Sequence, residues 1–152
     1  MGFVAIGCIA IAMANGNSRG LTRGTKSPLL AGSEVPAQVR SILQRACQDC
    51  HSDNTAWPWY ADVPPLSWQI QSDVARGRAT MNLSQWSDYS DRQRRGFMLA
   101  ILAVSKARVM PPAKYVWVHS NARLSDADVE ELRRWALAGS RASSQTVHPP
   151  SH

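Results

Sequence analysis

The chain has 152 residues, 44% of them hydrophobic, and a formal net charge of +6. This length suits one ordinary domain with its own core, and the apolar share excludes a disordered chain. Arginine dominates the basic residues, but they are scattered and no aromatic–basic motif accompanies them, so the charge reads as surface character and nucleic acid is not expected as a partner.

Residues 1–14 carry no charge, and the run GFVAIGCIAIAMA ends in Ala12-Met13-Ala14, a small-x-small step before Asn15. That pattern is expected of an export signal and is short for a membrane span. The usual positive n-region is missing, so either the true start lies upstream or the segment is an uncleaved anchor. Small residues ahead of Cys8 also permit a lipoprotein reading. Residues 15–36, rich in Gly, Ser, Thr, Arg and Lys, read as a flexible linker. The expected domain covers 37–139.

Pro36 opens the first helical pattern, with Val39, Ile42, Leu43 and Ala46 on one face, ending near Cys50 or His51. From 52 to 65 the chain reads as loop, broken by Pro58, Pro64 and Pro65. A second helix is expected over 67–76, stopped by Gly77. Residues 79–90 read as irregular. A third helix is expected over 90–107, and its centre FMLAILAV is apolar all round, which predicts deep burial. The step Met110-Pro111-Pro112 ends helical structure. A fourth helix is expected over 126–138, with Ser125 and Asp128 as a capping-box-like start and Gly139 as a stop. Val129, Leu132 and Ala136 line its face, with Trp135 at the margin. The tail, 140–152, reads as loose. No repeat and no strand alternation stand out, so the fold class is all-α, with about four helices.

The chemistry concentrates in CQDCHSDNTAWPWY, residues 47–60. Beyond Cys8, Cys47 and Cys50 are the chain's cysteines, and His51 follows at once. A disulfide between them would close a tiny loop. A thioredoxin-like redox pair needs a strand before the helix, and that context is missing. Zinc needs a fourth ligand, usually from a second paired motif, and none is present. The remaining reading is covalent attachment of haem c. One helical turn spaces two sulfurs toward two vinyl groups, and the next residue sets an imidazole under the iron. Export agrees with that reading.

A thioether is the usual sixth ligand of an electron-transfer haem. Met110 is the candidate, because a residue before proline is kept out of the α region and two prolines stiffen the adjoining backbone. Met81, His119 and an open site are the alternatives, while Met98 reads as core. Six tryptophans suit a large apolar disc that carries two carboxylates. Trp57, Trp59 and Tyr60 are expected to line or lid the pocket, Trp135 to fill the core, and Arg76 and Arg78 to face the propionates.

The motifs CHS-x-x-T-x-WPWY, P-x-SW, GR-x-x-x-N-x-S-x-W and MPP-x-x-Y-x-x-x-H together resemble the bacterial haem-binding domain family of the cytochrome c superfamily, over about 39–138. The resemblance implies a small helical cytochrome with thioether bonds at Cys47 and Cys50, His51 on the iron and Met110 as distal ligand. It also implies Trp57, Trp59, Tyr60, Trp68, Asn82, Trp86 and Tyr115 as pocket positions. Leu83, where an aromatic is expected, departs from the pattern. The family does not by itself settle what the protein is for.

The expected function is an exported, periplasmic, monohaem electron carrier rather than a catalyst, steered by its basic surface toward a redox partner with an acidic docking face. Two alternatives stay open: a peroxidase-like oxidoreductase with a polar group over the iron, and a gas or redox sensor with a displaceable distal ligand.

Overall fold

Pro36, which has no N–H to donate, stands immediately before α1 (Ala37–Ala46), and Val39, Ile42, Leu43 and Ala46 form the buried face of that helix. The structure is a computed structural model describing residues 27–145. The expected leader, the first part of the linker and the end of the tail lie outside the described residues. The fold is all-α: among the described residues there are six α-helices, three short 3-10 turns and no strand.

The first helix does not run on to His51. Cys47 leaves helical geometry (φ −127°, ψ −30°), and a separate single turn, α2 (Gln48–His51), carries Cys50 and His51. The expected linker also stops early. Leu29 and Leu30 are buried, the Leu30 N–H donates to the Leu83 carbonyl at 2.9 Å, and Arg40 donates to the Leu29 carbonyl at 2.8 Å. Ser27 and Asn54 exchange hydrogen bonds of 2.9 and 2.6 Å. Two leucines in a polar run have no periodicity to betray them, yet their burial makes 27–36 part of the domain.

Two glycines expected as helix stops are contact points instead. α3 (Leu66–Thr80) runs through Gly77, where an added Cβ would lie 2.3 Å from the Cys50 carbonyl oxygen. Gly77 therefore admits the α2 backbone against α3. α6 (Asp126–Gln145) runs through Gly139, where a Cβ would meet the Met98 methyl at 2.4 Å. Residues 140–145, expected as loose tail, continue that helix.

Between α3 and α4 the chain makes a 3-10 turn, Leu83–Asp88, whose start the Asn82 side chain caps by accepting the Ser84 N–H at 3.0 Å. The turn drives Leu83 and Trp86 into the core, where Trp86 lies 6.2–6.5 Å, ring to ring, from Tyr89, Phe97 and Trp135. α4 (Asp91–Lys106) begins with a full capping box between Ser90 and Gln93 and packs along α6. Its apolar centre is not deeply buried all round. Met98 and Ile101 are buried, but Leu99 is 44% exposed. One face meets α6 while another borders a cavity, which the all-round apolar pattern alone does not reveal.

After α4 the chain turns through Arg108, at φ 57°, and passes Met110-Pro111-Pro112 into an unanticipated short helix, α5 (Ala113–Val118). The four long helices match the expectation in place. α2 and α5 are the additions.

Candidate functional site

A cavity of about 500 Å³ opens between α2, α3, α4 and the strap that leads into α5. That is within the size range of small-molecule and cofactor sites. Cys47, Cys50 and His51 border it from one side, and Met110, Pro111, Pro112 and Tyr115 from the strap. Phe97, Ile101 and Val104 of α4 supply an apolar wall, and the rim carries Asp73, Arg76 and Lys114.

The geometry of His51 suits it to a metal. Its Nδ1 lies 3.2 Å from the Met81 carbonyl oxygen. A carbonyl only accepts, so Nδ1 carries the proton and donates, leaving Nε2 with its lone pair. Such a second bond orients a ligating imidazole and raises its basicity.

Both cysteines are free thiols. Burial, reinforced by Cys50, pushes the Cys47 thiol up to about 12. Burial first, then Asp49, raises Cys50 as well. Both therefore stay protonated at neutral pH, whereas a redox-active pair relies on a lowered thiol. Among the described residues no three His, Cys, Asp or Glu side chains converge as a site for a bare metal ion.

Asp49, between the two cysteines, organises the surroundings. Its Oδ2 accepts the Tyr115 hydroxyl at 2.6 Å, its Oδ1 accepts the Ala56 N–H at 2.9 Å, and its carbonyl accepts the Thr55 hydroxyl at 2.6 Å. Burial, helped by the bond to Asp49, pushes the Tyr115 hydroxyl far above its usual range, so it remains a donor.

A haem-binding domain family matches residues 1–138. The chain belongs to the haem-binding domain family. No curated protein and no solved structure matches the chain. For a haem-binding domain this cavity fits its ligand: an apolar wall for the macrocycle, an imidazole with Nε2 free, and cations at the rim.

Several residues expected in the haem pocket lie elsewhere. Trp86 is a core residue, and Trp57 is half-buried away from the cavity. Trp59 is 82% and Trp68 69% exposed, and Tyr60 meets Trp59 edge to face. The bonds from Thr55 and Ala56 to Asp49 fold the loop back on α2, so the aromatics after it do not lid the cavity. Asn82, though buried, caps its own turn and donates to Asp53 at 3.0 Å. Arg78 is committed to the Ser52 carbonyl (2.8 Å) and the Thr55 hydroxyl (3.0 Å), a loop clamp rather than a rim cation. Arg76 does reach the rim, bonded to Asp73 at 2.7 Å.

The axial candidates also separate. Met98 packs in the core, as expected. His119 hydrogen-bonds the Tyr115 carbonyl through Nδ1 and stacks on the Tyr115 ring at 4.2 Å, off the cavity. Met81 borders the cavity, but its carbonyl bonds His51, which sets its backbone beside that imidazole. Sequence reading missed Asp49, Asp73, Lys114 and the α4 wall. Only the wall had a signal, the excess of apolar residues in FMLAILAV.

Proposed function

We propose that this haem-binding domain is an exported monohaem c-type cytochrome of the cytochrome c superfamily that carries one electron at a time. Cys47 and Cys50 would hold the haem covalently, and His51 and Met110 would ligate its iron. One observation carries the reading: two half-buried thiols, an imidazole with Nε2 free and a methionine from a separate strap border one apolar cavity.

Cys47 and Cys50 would hold the haem through thioether bonds, each the addition of an S–H across a vinyl group with no net oxidation or reduction. When bound, the haem would supply one-electron ferrous–ferric chemistry. His51 supplies its imidazole nitrogen from a fixed orientation. The Met110 thioether would favour the ferrous state and so raise the potential. Phe97, Ile101 and Val104 keep water off one wall. The basic surface steers a redox partner with an acidic face, with an on-rate that falls as salt rises. The apolar N-terminal segment directs export or holds the protein at a membrane. Among the described residues no helix is long and apolar enough to cross one.

Protein matured in an export-competent host, denatured and extracted with acidified organic solvent, keeps its colour under this reading. Colour in the organic phase overturns covalent attachment. Met110→Ala abolishes the weak thioether-to-iron charge-transfer band of the ferric protein, and an unchanged band overturns Met110 as the ligand. A sensor reading with a displaceable Met110 draws on that residue's 42% exposure, and rapid carbon monoxide binding by the ferrous parent would favour it. The peroxidase-like reading loses its candidate acid/base group, because His119 is stacked off the cavity.

A further inference from the structure

The segment that carries Met110 is weakly held by packing. α5 buries none of its residues, and its neighbour in the fold is the 3-10 turn after it, Ser120–Ala122. At its start, the Val109 and Met110 N–H groups reach the Val104 carbonyl at 3.0 and 3.4 Å, tying one end to α4. Two polar links then cross to the other side of the cavity. Lys114 meets Asp73 on α3 at 2.6 Å, and the Tyr115 hydroxyl meets Asp49 on α2 at 2.6 Å.

These links are not equivalent. Lys114 is 61% exposed, and exposed ion pairs contribute little. The Tyr115–Asp49 bond is partly buried, short and charge-assisted, a type of hydrogen bond about twice as strong as a neutral one. Its acceptor lies inside the Cys47–His51 turn, and Asp49 is itself braced by Ala56 and Thr55. A single bond thus joins the turn with the proximal imidazole to the strap with the candidate distal ligand.

We propose that Asp49 and Tyr115 form a latch, a positioning pair that holds the 110–118 strap against the Cys47–His51 turn and so keeps the Met110 thioether on the iron. The proposal rests on the His51/Met110 reading, and the test separates the two. Tyr115→Phe removes only the hydroxyl and keeps the ring on His119. In haem-loaded protein with Met110 intact it weakens the thioether charge-transfer band. It also speeds carbon monoxide binding to the ferrous form by roughly tenfold, the scale of one hydrogen bond to a charged group. Trp117→Ala, on the same strap but 87% exposed and outside the cavity lining, leaves both unchanged.

In the haem-loaded Met110→Ala background, where no Met110 sulfur reaches the iron, adding Tyr115→Phe still speeds amide exchange of α5 by roughly tenfold. Unchanged exchange there overturns the latch whatever the ligand. Faster exchange with an unaltered band and binding rate in the Met110 parent overturns the positioning role. A parent band that survives Met110→Ala identifies the ligand reading as the failure, and the positioning role falls with it. If Tyr115→Phe does not mature, Asp49→Asn, which keeps an acceptor for Ala56, is expected to move the same readouts in the same direction.

Discussion

Gly77 and Gly139 look alike in sequence, each near the expected end of a helix, yet they face different neighbours. A methyl at Gly77 meets the Cys50 backbone, which cannot move without displacing the turn that carries His51. Gly77→Ala is therefore expected to destabilise by about 1–3 kcal/mol despite its better helix propensity, read by chemical denaturation, and to lower haem incorporation. A methyl at Gly139 meets the flexible end of Met98. There the gain in propensity offsets the contact, and Gly139→Ala is expected to change stability by no more than about 1 kcal/mol. The cysteine pair, His51 and Met110 stand out as candidates because spacing and proline neighbours are local signals, and the fold brings all four to one cavity. Asp49 is not, because an aspartate at a variable position of the motif acquires meaning only from a tyrosine much later in the chain.

Helix starts were readable, helix ends less so. Ser90 with Gln93 and Ser125 with Asp128 cap α4 and α6 through side chains three residues apart, a local pattern. Asp128 has a second role, an ion pair of 2.6 Å with Arg45 of α1. Burial by itself pushes its carboxyl up, but the bonds from Arg45 and Ser125 outweigh burial and hold it below the ordinary 3.8. A carboxyl held low in the folded state contributes stability at neutral pH that is lost as pH falls. Denaturation midpoints are accordingly expected to stay flat down to about pH 4 and to drop below it, with a smaller drop in Asp128→Asn. Where α3 and α6 end was not readable, because a glycine that ends a helix and a glycine that admits a neighbour look the same until the neighbour is placed.

Across the whole molecule the tryptophans divide by depth. Trp86 is 2% exposed, surrounded by three aromatic rings, so Trp86→Ala is expected to cost about 3–5 kcal/mol and threaten folding. Trp59 is 82% exposed, and Trp59→Ala is expected to stay within about 0.5 kcal/mol of the parent by the same denaturation measurement. The cavity also couples stability to its ligand. Its walls come from α2, α3, α4 and the strap, so a group filling it bridges elements distant in sequence. Chain matured without haem is expected to melt at a lower temperature than the loaded protein, because a ligand bound by the folded state alone stabilises that state.

What the amino-acid order settles unaided here is whatever depends on near neighbours. Helical periodicity in α1 and α6, the apolar run of α4, the caps at Ser90 and Ser125, the proline step after Met110 and the thiol–thiol–imidazole cluster are each set by residues close together in the chain. Contacts between distant segments decide the rest. They bury Leu29 and Leu30, turn the open face of α4 into a cavity wall, leave Trp59 and Trp68 in solvent, and bring Tyr115 to Asp49. The reason is physical: periodicity records that a side chain is apolar and which way it faces, whereas packing decides what it meets there.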